Sequence, residues 1–232
     1  MMKICLDAGH GGTDHANGSP DGSYKEHEFT LDMAKRLRTL LAPYMTVIMT
    51  RNADESVSLG GRATIANSAG ADAYVSIHSN AAKSNGAWNS ARGICVFTYS
   101  AGVTAKRNKL AAALLSQYKT AGIRLFPNPA QYAKFAVLSS TNMPAVLIEY
   151  AFHDNREDTE NLLDSAWRQA AAVATAKGIC DYFGIEFGGE PEVSTTLYRV
   201  QVGSFKTKTA AEKMKTELSG KGYESFVVEA AK

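Results

Sequence analysis

The chain is poor in several things. It has three cysteines among 232 residues, Cys5, Cys95 and Cys180, odd in count and far apart. That excludes a disulfide framework and a cysteine-rich zinc module. Cys5 and Cys95 stand inside apolar runs and read as buried thiols. Neither sign of charge dominates: 25 Lys and Arg against 23 Asp and Glu leave a formal net charge of +2. With no Lys/Arg-rich run either, nucleic acid is not an expected partner. No run of about 20 apolar residues is present, so membrane insertion is not expected. Met1 to Cys5 leads straight into a strand, without an apolar segment of signal-peptide length.

What is present is a packed α/β pattern. Apolar residues make up 45% of the chain, enough for a core. The length suits one ordinary domain and a smaller second one. Ile4-Cys5-Leu6 stops at Asp7, and Ala8-Gly9-His10-Gly11-Gly12 follows. This reads as a buried strand ending where the backbone comes close to something. A helix is expected from Glu26, with Phe29, Leu31, Met33, Ala34, Leu37, Leu40 and Leu41 as its apolar positions and Pro43 as its stop. Further strands are expected at Met45–Met49, Ala73–Ile77, Gly93–Tyr99, Phe135–Leu138 and Ala145–Ile148. Helices are expected from Ser58 to Ser68, at 103–121 and at 165–183. The alternation predicts a three-layer α/β sandwich with a central, mostly parallel sheet and helices on both faces.

Three of these strands end in His10, His78 and Glu149, and Glu26 opens the helix beside the first. Strand ends at the carboxyl edge are where open α/β sheets bind ligands. Two His and one carboxylate, here His10, Glu26 and His78, make a zinc ligand set that leaves a position for water. Glu149 then becomes the candidate general base. Arg62 and Asn80 are candidates either for touching substrate or for fixing the loops. His153 reads as a solvated loop residue, and His15 and His27 as exposed.

These stretches resemble the zinc-dependent N-acetylmuramoyl-L-alanine amidases of the Amidase_3 type. The resemblance rests on Leu6-Asp7-Ala8-Gly9-His10-Gly11-Gly12, Glu26 through Leu37, and Thr50-Arg51 with Asp54, Leu59 and Arg62. It continues through Val75-Ser76-Ile77-His78-Ser79-Asn80 and Met143-Pro144-Ala145-Val146-Leu147-Ile148-Glu149. Ala8 stands where the family often has Pro, and Ala151 where it often has Gly. The resemblance covers about residues 2–184. It implies zinc on His10, Glu26 and His78, catalysis by Glu149, and cleavage of the amide joining N-acetylmuramic acid to L-alanine in peptidoglycan. A zinc carboxypeptidase and a non-catalytic wall-binding protein are the alternatives. The first would need a carboxylate-binding Arg and a helix-borne ligand pair. The second would be expected to lack a ligand or Glu149.

Residues 187–195 have the composition of a linker between a catalytic domain at 1–186 and a unit at 196–232. That unit resembles the first half of a SPOR domain through Tyr198, Val200-Gln201-Val202-Gly203-Ser204-Phe205, Ala210-Ala211 and Gly222-Tyr223. The expected order is strand, helix, strand. The resemblance implies binding to peptidoglycan glycan strands. A half-length unit predicts either packing on the catalytic domain or pairing with a second copy to form a homodimer. Without an export signal the expected location is the cytoplasm until a phage holin or mother-cell lysis releases the enzyme.

Overall fold

The structure is a computed structural model. It describes residues 1–15, 17–82, 86–99, 105–188, 202–220 and 225–228. Contacts divide the chain into two compact units, Met1–Pro191 and Glu192–Lys232.

The first unit is built on a six-stranded sheet in the order β2-β1-β3-β6-β4-β5. The strands are β1 Lys3–Ala8, β2 Thr46–Met49, β3 Ala73–Asn80, β4 Ile94–Thr98, β5 Leu125–Tyr132 and β6 Ala145–Phe152. Strands β1, β2, β3 and β6 run parallel, and the β4–β5 pair runs against them. The helices of this unit are α1 Glu26–Leu41, α2 Leu59–Ser68, α3 Ala105–Thr120, α4 Ala136–Ser139, α5 Arg156–Leu163 and α6 Ser165–Phe183.

Side-chain alternation along the strands assigns the two faces. Ile4, Leu6, Val75, Ile77, Val146 and Ile148 join the core under α1, α3 and α6. Cys5, Tyr74, Ala145 and Leu147 join a smaller core with Ala66 of α2 and Val137 and Leu138 of α4. Gly178 lets α3 and α6 approach closely, since a Cβ there would lie 2.8 Å from Leu114 Cα. A cleft opens on this second face, lined by Leu59 and Arg62 of α2 and Val137 of α4. His78 and Glu149 share the parity of Tyr74 and Leu147, so they leave the sheet on this face.

Several of these expectations need correction. Phe135–Leu138 is a helical turn, not a strand: four apolar residues carry no periodicity that separates the two. The edge strand is instead Leu125–Tyr132, which contains Pro127 and Pro129. Proline removes a donor, and an edge strand needs only one side of its backbone paired. His78 and Glu149 lie inside β3 and β6 rather than at their ends, because the strands continue to Asn80 and Phe152. Helix α5 is an addition, started by Asn155, whose side chain accepts from Asp158 N.

In the second unit the described residues contain one helix, α7 Lys208–Gly220. The strands expected around it do not form among the described residues 202–205 and 225–228. A strand needs a partner to bond with. Residues 196–201 and 221–224, including Tyr198, Gly222 and Tyr223, lie outside the described residues.

Candidate metal centre and cleft

The site begins with a buried acid. Asp7 is fully buried in β1 and accepts bonds of 2.7 Å from Thr50 Oγ1, Arg62 Nη1 and Ser76 Oγ. Burial opposes its charge, but the Arg62 guanidinium and these donors hold its pKa below the ordinary carboxylate value. Arg62 also donates to Ala8 O and to His10 O, the latter at 2.8 Å. Arg51, likewise buried, donates to Ala8 O and Gly9 O, each at 2.9 Å, and to His27 O at 2.8 Å. Two arginines thus hold three successive carbonyls at the exit of β1.

This clamp explains the backbone at His10. Its φ is +58°, making it the one non-glycine with positive φ among the described residues. Such a conformation costs roughly 1–3 kcal/mol and persists where surroundings determine it. Gly11 and Asp14 then close a tight turn by mutual backbone bonds. The turn brings Asp14 Oδ2 to 2.8 Å from His10 Nδ1. His10 Nε2 is left facing Glu26 Oε2 at 3.3 Å.

Glu26, buried in the first turn of α1, lies between two imidazoles. Its Oε1 is 3.0 Å from His78 Nδ1 and accepts from Ser79 N at 2.8 Å. Its Oε2 is buried and, apart from the His10 ion-pair contact, has no hydrogen-bond partner. One ligand atom from each of His10, Glu26 and His78 lies within 4.8 Å of the others. Burial disfavours every charge here, yet the opposed charges win. Glu26 is held below its ordinary range by the two histidines, His78 is pushed up by Glu26, and His10 is pushed up to about 9 by Glu26 and Asp14. Gly9 is required because a Cβ there would run into the His78 ring, 2.5 Å from Nε2.

Glu149 Oε2 is also buried without a hydrogen-bond partner. Burial pushes the Glu149 carboxyl up to about 7. A cleft of about 390 Å³ opens here, lined among others by His10, His78, Glu149, Leu59, Arg62 and Phe135. The structure therefore brings His10, Glu26, His78 and Glu149 to one place.

The other candidates are placed differently. Arg62 borders the cleft with its guanidinium committed to Asp7 and to backbone carbonyls. Asn80 accepts from Ala81 N at 2.9 Å and lies 3.6 Å from Sγ of Cys95, the β4 residue paired with Glu149, and does not itself line the cleft. His153 is buried rather than solvated, its Nδ1 2.9 Å from Ser79 Oγ, which accepts from Tyr24 OH at 2.8 Å. Burial pushes its pKa down. His27 is also buried, packed face to face on His15. Asp14 and Arg51 went unread as site residues. The four-residue spacing from His10 to Asp14 was the one available signal.

A mostly parallel sheet with a His–Glu–His group and a facing carboxylate at a cleft has the makings of a hydrolase centre. The chain belongs to the Amidase_3 family of N-acetylmuramoyl-L-alanine amidases, whose model matches residues 4–181. A SPOR domain model matches residues 165–231, overlapping the last part of the first match. The chain is 33% identical over 234 residues to an N-acetylmuramoyl-L-alanine amidase of Bacillus licheniformis, covering 98% of this chain and 85% of that one. It is 31% identical to a sporulation-specific N-acetylmuramoyl-L-alanine amidase of Bacillus subtilis, again over 98% and 85%. A solved N-acetylmuramoyl-L-alanine amidase of Clostridium difficile superposes with a TM-score of 0.73 at 30% identity, over 79% of this chain and 97% of that one. The chain is thus an enzyme that hydrolyses an amide of the bacterial cell wall.

Proposed function

We infer that this amidase is zinc-dependent, with His10, Glu26 and His78 as ligands and Glu149 as the proton carrier. The observation that carries this is the buried Glu26 carboxylate between two imidazoles, with Oε2 lacking a hydrogen-bond partner apart from the His10 contact. Nitrogen and oxygen donors in this ratio suit zinc. Zinc held there would acidify a water and polarise the scissile carbonyl.

The chain's own residues do the rest. Asp14 fixes the His10 ring by bonding Nδ1, which aims Nε2 inward. Glu149, with its pKa raised to about 7 by burial, takes a proton from the attacking water. It returns that proton to the leaving amine of L-alanine as the C–N bond breaks. Arg62 and Arg51 hold the loop bearing His10, so Arg62 serves substrate through that loop. Asn80 does the same for the chain beyond His78.

Residues 1–186 are assigned as the catalytic unit, 187–195 as linker and 196–232 as the unit that holds peptidoglycan. The Bacillus relatives match along 98% of the chain, the C-terminal unit included, which favours a lytic role in a spore-former. Val202, Phe205, Phe226 and Val228 are exposed, which supports pairing of this unit with a second copy.

The test is a digest of purified sacculi and of soluble muropeptides, read by mass spectrometry. An amidase leaves an intact lactyl carboxyl on the sugar and a free amino group on L-alanine. A carboxypeptidase would release a C-terminal amino acid instead. Chelation should stop the reaction and zinc should restore it.

A further inference from the structure

A second cluster of metal-ligating side chains lies outside the centre just described. One ring nitrogen each of His15 and His27 and a carboxylate oxygen of Asp54 lie within 4.8 Å of one another. His10, Glu26 and His78 meet the same limit. The rings of His15 and His27 stack with centroids 3.8 Å apart and planes 16° from parallel. His15 Nε2 is 3.0 Å from Asp54 Oδ2. Asp54 Oδ1 accepts from Gly12 N at 2.7 Å, which fixes the carboxylate.

His27 supplies a second and separate observation. It is 94% buried at the start of α1, and its Nδ1 has no hydrogen-bond partner. A buried ring nitrogen without a partner is unusual and calls for an explanation. Its backbone carbonyl is held by Arg51, so the ring rides on a fixed anchor. His15 is about half exposed and can shift. Zinc ligands about 2.0–2.1 Å from a tetrahedral metal stand roughly 3.4 Å apart. Parallel stacked rings cannot aim two nitrogen lone pairs at one ion, so binding requires the exposed His15 ring to rotate off the stack.

We propose that His15, His27 and Asp54 form a second binding site for a divalent transition-metal cation of the zinc type. Two imidazoles and one carboxylate select such a cation over calcium or magnesium, which prefer all-oxygen shells. The three ligands come from three segments: the loop after β1, the start of α1 and the loop after β2. A cation there ties the loop carrying His10 and Asp14 to the helix carrying Glu26. It is a structural clamp on the catalytic centre rather than part of the reaction.

The experiment uses the full chain stripped of metal by a chelator. Zinc is then titrated in, with bound metal counted after equilibrium dialysis, and cobalt is used in parallel for its visible absorption. The wild type should bind two equivalents, one tightly and one more weakly. His15→Ala and Asp54→Asn change exposed residues and should each lose only the weaker equivalent. His78→Ala should lose only the tight one, which separates this site from the catalytic one. The second equivalent should raise the melting temperature of the wild type but not of His15→Ala. The proposal is overturned if the wild type saturates at one equivalent in zinc excess. It is equally overturned if His15→Ala and Asp54→Asn still bind two, since the second ion would then be adventitious.

Discussion

Glu149 stands opposite His78 across the β3–β6 pair, in parallel register. Paired residues of neighbouring strands project to the same face, so the candidate proton carrier and a candidate ligand are fixed to each other by the sheet. No loop intervenes between them. Placement of this kind keeps a proton-transfer distance constant without help from the rest of the cleft.

Glu149→Gln should therefore abolish hydrolysis and leave metal binding intact. The amide keeps the shape of the carboxylate and cannot accept the proton. A loss of about 10²-fold or more is expected when a general base is removed. Turnover of a soluble muropeptide, measured beside metal content, decides the matter. A variant within a few-fold of wild type would make Glu149 structural.

The pH dependence of the metal-free protein follows from His10. Burial works against its charge, but Glu26 and Asp14 raise its pKa from 6.5 to about 9. A raised folded-state value stabilises fully below about pH 6.5, and the stabilisation fades as pH climbs through 9. Metal-free protein should lose melting temperature across that window, and His10→Gln should flatten the trend. Zinc needs neutral imidazole, so its affinity should rise over the same window with release of a proton. Calorimetry in buffers of different ionisation enthalpy reads that proton. An affinity independent of pH would contradict the ligand assignment.

Arg62→Ala should destabilise the fold by about 3–5 kcal/mol, the cost of stranding a buried charge. The charge left behind is Asp7, which Arg62 meets at 2.7 Å. Chemical denaturation measures the loss, and Asp7→Asn combined with Arg62→Leu should recover part of it. If Arg62 instead bound substrate directly, KM would rise while stability stayed near wild type.

Gly9→Ala should remove metal rather than merely slow turnover. The added methyl would occupy the place of the His78 ring, and the ring can yield only by leaving Glu26. Metal content of the purified variant is the readout. A full equivalent retained with wild-type affinity would mean that the loop shifts without cost.

Much of this centre was legible in the sequence because it sits where patterns break. Apolar runs end at Asp7 and lead to His78, and a glycine cluster flags the close approach of backbone to a ring. The helix from Glu26 announced itself through Phe29, Met33, Ala34, Leu37 and Leu41, all buried, while Leu31 and Leu40 of the same pattern are only half-buried. What stayed hidden depends on contacts far apart in the chain. The pairing of Asp7 with Arg62 spans 55 residues. The burial of His153 depends on Ser79, 74 residues away. The edge strand Leu125–Tyr132 was hidden by its two prolines, since sequence does not say which strand is last in a sheet.

The C-terminal unit gives the last prediction. Its one described helix, Lys208–Gly220, has no strand pairing around it among the described residues. Val202, Phe205, Phe226 and Val228 lie exposed, and clustered exposed apolar groups invite a partner. If that partner is the glycan, a chain ending at Gly188 should bind whole sacculi more weakly, yet cleave small soluble muropeptides at the full-length rate. If a second copy comes first, light scattering should find the full chain dimeric and the shortened chain monomeric. Two linked units would then hold the wall more tightly than one, because the second contact forms at high effective concentration. Sacculus binding should in that case fall steeply on dilution below the dimer's dissociation constant. Equal sacculus binding by the two chains would remove the wall-holding role from residues 196–232 altogether.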